Sequence, residues 1–455
     1  MSYKLSIVKN KMMKRIINIL ILLCCIASLS SCGNSTEERS RVLKIYNWAD
    51  YIDEDVLAEF PDWYKQQTGE DLRIIYQVFD INEIMLTKIE RGHEDFDVVC
   101  PSEYIIERML RKDLLLPIDR NFGHTPDYIP NVSPYIRHEL NKTSQPERQT
   151  EDYAVPYMWG TAGILFNKKF ITAEEAGTWD ILWASKNRGK ILMKDSYRDA
   201  YGTAIIYAHA RELADSTVTV EQLMNDNSPQ AIALAEQRLK EMKPNIAGWE
   251  ADFGKEMMTK NKAWINFTWS GDAVWAIEEA DAVGVELDYT VPCEGSNIWY
   301  DGWVIPKYAG NPKAAAYFIN YLCRPDIALR NMDAIGYVSA VATPEIMEAK
   351  RDTAIATRSD LSYFFGEGVG ADSLQINPVQ YPDRKVVERC AMIRDFGNRT
   401  ELVLEMWSRV KGDNLNTGIV LLIFSVFGVL FVWLVYGKIR KYRQKQRRHR
   451  RRRRR

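Results

Sequence analysis

Apolar positions along the chain fall into short runs of the kind that strands bury, and amphipathic stretches separate them. Val42 to Tyr46, Leu72 to Phe79 and Phe96 to Cys100 read as strands. Glu54 to Gln67, with an interruption at Pro61, Asn82 to Arg91 and Tyr104 to Lys112 carry helical spacing. This βαβαβ order predicts a parallel sheet covered by helices, with ligands beyond the carboxyl ends of the strands. A second α/β unit begins near Tyr153, with strands at Thr161 to Phe166, Lys190 to Met193 and Ala263 to Phe267 and helices at Ala200 to Ala214 and Val220 to Met242. From Tyr289 to Pro306 the chain runs extended through Pro292, which predicts a return to the first unit. A helix from Pro312 to Leu322 and a turn at Gly336-Tyr337 follow, and 344–410 reads as mostly helical. The return makes both lobes discontinuous: 42–153 with 301–340 is expected as the first, and 154–300 with 341–412 as the second.

The two ends follow other rules. Lys4, Lys9, Lys11, Lys14 and Arg15 precede an apolar run from Ile16 to Leu29, and Leu29-Ser-Ser-Cys32-Gly33 closes it. This reads as a secretory signal over 1–32 ending in a lipobox, with Cys32 lipidated after cleavage. Gly418 to Gly437 carries no charge and is long enough to cross a hydrocarbon core of roughly 30 Å, so a transmembrane helix is expected there. Lys438 to Arg455, with three Lys and ten Arg, then reads as a polybasic cytoplasmic tail by the positive-inside rule.

Charge looks different once the ends are set aside. The whole chain has 60 basic and 61 acidic residues in 455. With five basic residues in the signal and thirteen in the tail, the segment between them keeps 42 against 61, a net charge near −19. Such a surface draws cationic solutes rather than nucleic acid. At 46% hydrophobic content the chain can bury a core for two lobes. Cys100, Cys293, Cys323 and Cys390 are widely spaced, and no required disulfide is expected. His93, His124, His138 and His209 are solitary, so no metal site is expected. No Walker loop, GxGxxG turn or GxSxG elbow is present. The sequence thus calls for no cofactor, and it offers no nucleophile and base pair.

What remains is a recurring pairing of tryptophan with aspartate. Trp48-Ala-Asp50-Tyr51 follows the first strand, Trp269-Ser-Gly-Asp272 follows the Ala263 strand, and Trp299-Tyr-Asp301 lies in the extended return. An aromatic face beside a carboxylate suits an ammonium ligand, because the ring quadrupole attracts the cation and the carboxylate accepts charge-assisted hydrogen bonds. Ser102 and Tyr104 follow the third strand, and Asp195, Ser196 and Asp199 follow the Lys190 strand. Every one of these positions lies at a strand end or crossing. Converging carboxylates with aromatics also fit a paired-acid hydrolase or a carbohydrate cleft.

Six blocks in order then carry a resemblance: Ile45-Tyr-Asn-Trp-Ala-Asp-Tyr51, Phe96-Asp-Val-Val-Cys-Pro-Ser102, Val155-Pro-Tyr-Met-Trp-Gly160, Trp269-Ser-Gly-Asp272, Trp299-Tyr-Asp301 and Ile335-Gly-Tyr337. From about Val42 to Lys411 the chain resembles the periplasmic spermidine/putrescine-binding proteins of bacterial polyamine ABC importers. The resemblance implies an α/β two-lobe periplasmic binding protein fold of type II-like topology, closing by a hinge over a linear polyamine and delivering it to a membrane permease. It implies an aromatic box of Trp48, Tyr51, Trp269, Trp299 and Tyr337. Asp50, Asp272 and Asp301 take the ammonium groups, and Ser102 and Tyr104 hydrogen-bond on the first lobe. An enzyme is not implied. Where spermidine-type proteins carry an Asp and a Glu after the second-lobe strand, this chain has Asp195-Ser196-Tyr-Arg-Asp199, while Asp272 and Asp50 resemble the putrescine-selective branch. The implied partners are a polyamine, the permease subunits and membrane lipid, the last through Cys32 and the C-terminal helix. The implied location is periplasmic, anchored to the inner membrane. Two further readings keep the fold: a membrane-anchored polyamine sensor, and a receptor for a different solute such as iron, thiamine or a sugar.

Overall fold

In a computed structural model of the chain, the residues described are 39–250, 253–412, 425–427 and 433. Among the described residues eleven strands form a continuous sheet system in the order β2-β1-β3-β10-β5-β8-β6-β7, with β4 (Leu115–Leu116) on β10 and β9 and β11 (Val338–Ser339) on β5. β1 (Val42–Trp48), β2 (Arg73–Phe79) and β3 (Val98–Val99) are parallel neighbours, as the βαβαβ pattern requires.

β5 (Ala154–Asn167) and β10 (Ile298–Pro306) are what make two lobes out of one sheet system. β5 is fourteen residues long and buried throughout. Its first half pairs antiparallel with β10, from Thr161 on Ile298 to Ala154 on Val304. Its second half pairs instead with β8 (Ile265–Trp269) and β9 (Leu287–Thr290). The strand therefore leaves one lobe's sheet and enters the other's, where β6 (Ile191–Lys194) and β7 (Ile246–Glu250) complete the parallel set. A continuously apolar run is expected of a strand covered on both faces. The larger core holds Leu43, Ile45, Val98, Trp159, Trp303 and Phe318, together with Ile346, Leu361, Phe364 and Tyr381 from the later chain. A smaller one around Leu165, Leu192, Met258, Ala276 and Leu287 fills the second lobe. Up to Thr400 the lobes form one compact unit, and Glu401 opens a second unit, to which most of the helix Thr400–Gly412 belongs.

Several expectations need correction. The helix Glu54–Thr68 runs through Pro61 without a break, because Val56, Leu57, Phe60 and Tyr64 bury one face of it. Val220 to Met242 is two helices, Val220–Asn225 and Pro229–Met242, the second started by the Ser228 side chain accepting from Ala231 N–H with Pro229 in its first turn. The region after Pro344 is mostly turns and short helices such as Pro344–Ala349, Ser362–Phe365 and Arg384–Val387, since its apolar residues plug gaps in the first core instead of lining one helix face. The transmembrane helix expected over 418–437 is also corrected. Among the described residues no helix is long and apolar enough to cross a membrane. A span needs about 20 consecutive helical residues, and only 425–427 and 433 of that run are described. Cys32 with the rest of 1–32, and the tail 438–455, lie outside the described residues.

Candidate functional site

Three strand-to-helix junctions and the β10 crossing build the site. Each of β3, β6 and β8 is followed at once by a helix whose first turn carries a buried acid: Glu103 in Glu103–Arg111, Asp199 in Tyr197–Ala208 and Asp272 in Ser270–Ala282. Acids are favoured there because the unpaired N–H groups of a helix start carry partial positive charge. Ser196 caps its helix by accepting from Asp199 N–H, so its hydroxyl serves the backbone.

On the first-lobe side, Asp301 is 7% exposed on β10. Its Oδ2 accepts the Tyr51 hydroxyl at 2.8 Å, while its Oδ1 is buried without a hydrogen-bond partner. Burial pushes the carboxyl up to about 6, although Ser102 and Tyr51 pull the other way. Ser102 faces Asp301 across an isolated antiparallel bridge, and its Oγ accepts from Asn82 Nδ2 at 3.1 Å. Tyr337 stands edge-on to both Tyr51 and Trp299, with ring centres 5.2 and 5.6 Å apart. The Tyr337 hydroxyl then donates to Asp272 Oδ1 at 2.9 Å. A chain of contacts thus runs Asp301, Tyr51, Tyr337, Asp272, with Trp299 alongside.

Asp199 stands on the second-lobe side, in the first turn of the helix after β6. Its carboxylate accepts Asn297 Nδ2 at 2.9 Å and Trp269 Nε1 at 3.4 Å, and burial raises its pKa despite those bonds. Asp272 behaves differently. It lies 2.7 Å from Lys194 Nζ and 3.7 Å from Lys255 Nζ; burial works against its charge, but the two lysines win and hold it below its ordinary value. Among the described residues, then, Asp301, Asp199 and Glu103 are buried acids outside any ion pair, with Glu103 accepting Tyr300 N–H, and Asp272 is already matched.

Close approach dictates two of the motif glycines. A Cβ on Gly271 would sit 2.3 Å from the Tyr337 ring, and one on Gly160 would sit 2.7 Å from Trp299. Only residues without a side chain allow those rings to lie where they do. Tyr104 closes the other edge: its hydroxyl and that of Tyr197 both donate to Glu83 Oε1 at 3.0 Å, joining the two lobes through one carboxylate. Trp48 packs on Phe79 with ring centres 4.5 Å apart, its Nε1 buried without a partner. Asp50 and Asp195 are exposed at strand ends. Asp50 has φ 50°, a left-handed conformation that Asp tolerates better than most residues.

Aromatic rings and buried acids from both α/β lobes thus meet around the crossing strand β10. The family of bacterial extracellular solute-binding proteins matches residues 62–357, more than half of the chain. The chain belongs to this family. The spermidine/putrescine-binding periplasmic protein of Escherichia coli (strain K12) is 26% identical over 373 residues, covering 82% of this chain and 92% of its own. The putrescine-binding periplasmic protein of the same strain is 29% identical over 324 residues, covering 69% and 82%. A solved spermidine/putrescine ABC transporter substrate-binding protein from Streptococcus pneumoniae superposes with a TM-score of 0.60 at 28% identity, covering 82% of this chain and 99% of its own.

Sequence reading missed several residues that contact this set or pack beside it: Lys194, Glu250, Glu83, Tyr197, Asn297 and Glu103. For Lys194 a signal existed, since a lysine closes the otherwise apolar Ile191-Leu-Met run. Its partner was hidden because Ile246-Ala-Gly-Trp-Glu250 lacks the apolar density that marks a strand.

Proposed function

We propose that this chain captures a linear polyamine, putrescine or spermidine, between its lobes in the periplasm and delivers it to the permease of an ABC importer. One observation carries the reading. Asp301 holds a buried, unpartnered Oδ1 beside Trp299, on the crossing strand between the lobes. A buried carboxylate without a cation is costly, and an ammonium bound there removes the cost. Asp199 supplies a second such acid, and the aromatic rings of Trp299, Tyr337, Tyr51, Trp269 and Trp48 suit the methylene chain between two amines. In this reading Ser102 and Tyr104 steady the first-lobe wall, Asp50 and Asp195 add negative charge at the rim, and β5 and β10 act as the hinge. Binding makes and breaks no covalent bond, so no catalytic group is needed. The two Escherichia coli relatives, a spermidine/putrescine-binding and a putrescine-binding periplasmic protein, support the same solute class. The basic stretch, apolar run and Leu-Ser-Ser-Cys32 pattern support export and lipidation at Cys32.

Calorimetric titration of the purified protein with putrescine, spermidine and a panel of neutral sugars at moderate salt tests the assignment. Micromolar or tighter binding of an amine is expected. Heat from a sugar with none from either amine would leave the fold standing and remove the polyamine.

A further inference from the structure

The chain supplies an ammonium of its own to this cleft. Lys194, the last residue of β6, is 1% exposed. Its Nζ lies 2.7 Å from Asp272 Oδ2, 3.1 Å from Glu250 Oε1 and 4.6 Å from the centre of the Trp269 ring. A carboxylate on one side and an indole face on another are what an amine ligand needs from this wall. Lys194 takes both.

Its position is rigidly backed. Lys194 and Glu250 are register partners at the ends of the parallel strands β6 and β7. Glu250 accepts Gly254 N–H at 3.0 Å and Asn266 Nδ2 at 3.3 Å. A Cβ at Gly254 would lie 2.5 Å from the Glu250 carboxyl, so that turn is pressed against the acid. Lys194 and Lys255 together face Glu250 and Asp272, two cations against two anions. A ligand that displaced the Lys194 ammonium would strand a buried charge, at a cost of several kcal/mol.

Building on the amine reading of the cleft, we propose that Lys194 is a specificity-determining residue: its side chain permanently fills the Asp272 and Trp269 subsite, restricting the ligand to amines that end short of it. The Asp272 subsite adjoins the Asp301 subsite through Tyr337 and Tyr51, so filling it removes one end of the cleft. On this reading a diamine keeps both of its acids, Asp301 and Asp199, whereas a triamine loses the place of its third charge.

The test compares putrescine and spermidine affinities, by calorimetry, in the parent chain and in Lys194→Met. Freeing Asp272 is expected to raise the spermidine-to-putrescine affinity ratio by about tenfold or more, one buried charge pair's worth of discrimination. Because Lys194→Met leaves two buried acids facing only Lys255, the double variant Lys194→Met/Glu250→Gln removes one charge of each sign and is measured in parallel. Its ratio decides the matter if the single variant does not fold. A ratio unchanged or lowered in the folded variant overturns the role of Lys194 while leaving amine binding intact. If the parent chain binds neither amine, the polyamine reading itself falls, and the Lys194 proposal with it.

Discussion

The Tyr51 hydroxyl reaches Asp301 Oδ2 at 2.8 Å across 250 residues of sequence, joining the end of β1 to the strand that crosses between the lobes. The contact satisfies one carboxylate oxygen and leaves the other buried without a donor. Asp301→Asn should therefore separate binding from stability. Amine affinity is expected to fall about 100-fold, near 3 kcal/mol, because a buried charge-assisted bond is lost. The unliganded protein is expected to melt at the same or a higher temperature, because a buried charge disappears while Tyr51 keeps an acceptor. Calorimetry and thermal melts check the pair, and a large loss of stability would mean that Asp301 is paired in the free protein.

Acid should weaken binding through the same residue. Burial holds the Asp301 carboxyl at about 6, above the roughly 4 of an exposed aspartate. An ammonium needs the ionised form, so affinity is expected to hold above pH 7 and to fall by about tenfold per unit below 6. Stability of the free protein runs the other way: where the folded carboxyl binds a proton that the unfolded one does not, between about 6 and 4, this group stabilises as pH falls. Titrations at pH 5, 6 and 7.5 with the matching melts test both signs.

How much of this was legible in the sequence varies by element. β1, β2 and β3 and the extended return could be read because their apolar runs are dense and bounded by turns. The Trp269-Ser-Gly-Asp272 and Trp299-Tyr-Asp301 pieces could be read as chemistry because ring and acid are close in sequence. Pairings that depend on two distant strands could not. That Lys194 would stand beside Glu250 follows from the register of β6 on β7, and no local pattern marks that register. Asp50 shows the opposite limit: its neighbours made it look equivalent to Asp301, yet the left-handed turn after β1 leaves it exposed. The 344–410 stretch failed as helix because its apolar spacing answers to the core it plugs rather than to a helix period.

Among the described residues, Glu83 is the one carboxylate that accepts from both lobes through tyrosine hydroxyls, Tyr104 on one side and Tyr197 on the other. Tyr197→Phe should loosen this contact between the lobes while leaving Asp301 and Asp199 in place. A lost hydrogen bond of this kind is worth about 1 kcal/mol, so the dissociation rate is expected to rise roughly fivefold with little change in association. Stopped-flow tryptophan fluorescence measures both rates, and an unaltered dissociation rate would remove Tyr197 from the closure.

The ring positions rest on backbone that carries no side chain, and Gly271→Ala is the sharpest way to move one of them. The added methyl would lie 2.3 Å from Cγ of Tyr337, nearer than any real contact, and Gly271 sits in the buried first turn of a helix that cannot shift without carrying Asp272 with it. Tyr337 must then swing away, losing its hydrogen bond to Asp272 and its edge contacts with Trp299 and Tyr51. Overpacking of this kind costs about 1–3 kcal/mol in stability, and amine affinity is expected to fall by roughly tenfold or more because the aromatic wall no longer lies along the ligand. Tyr337→Ala in the same background supplies the control: with the ring already gone, the extra methyl is relieved of its three nearest contacts, so the two changes should be far from additive. Equal effects of Gly271→Ala with and without the Tyr337 ring would show that the glycine serves the helix alone.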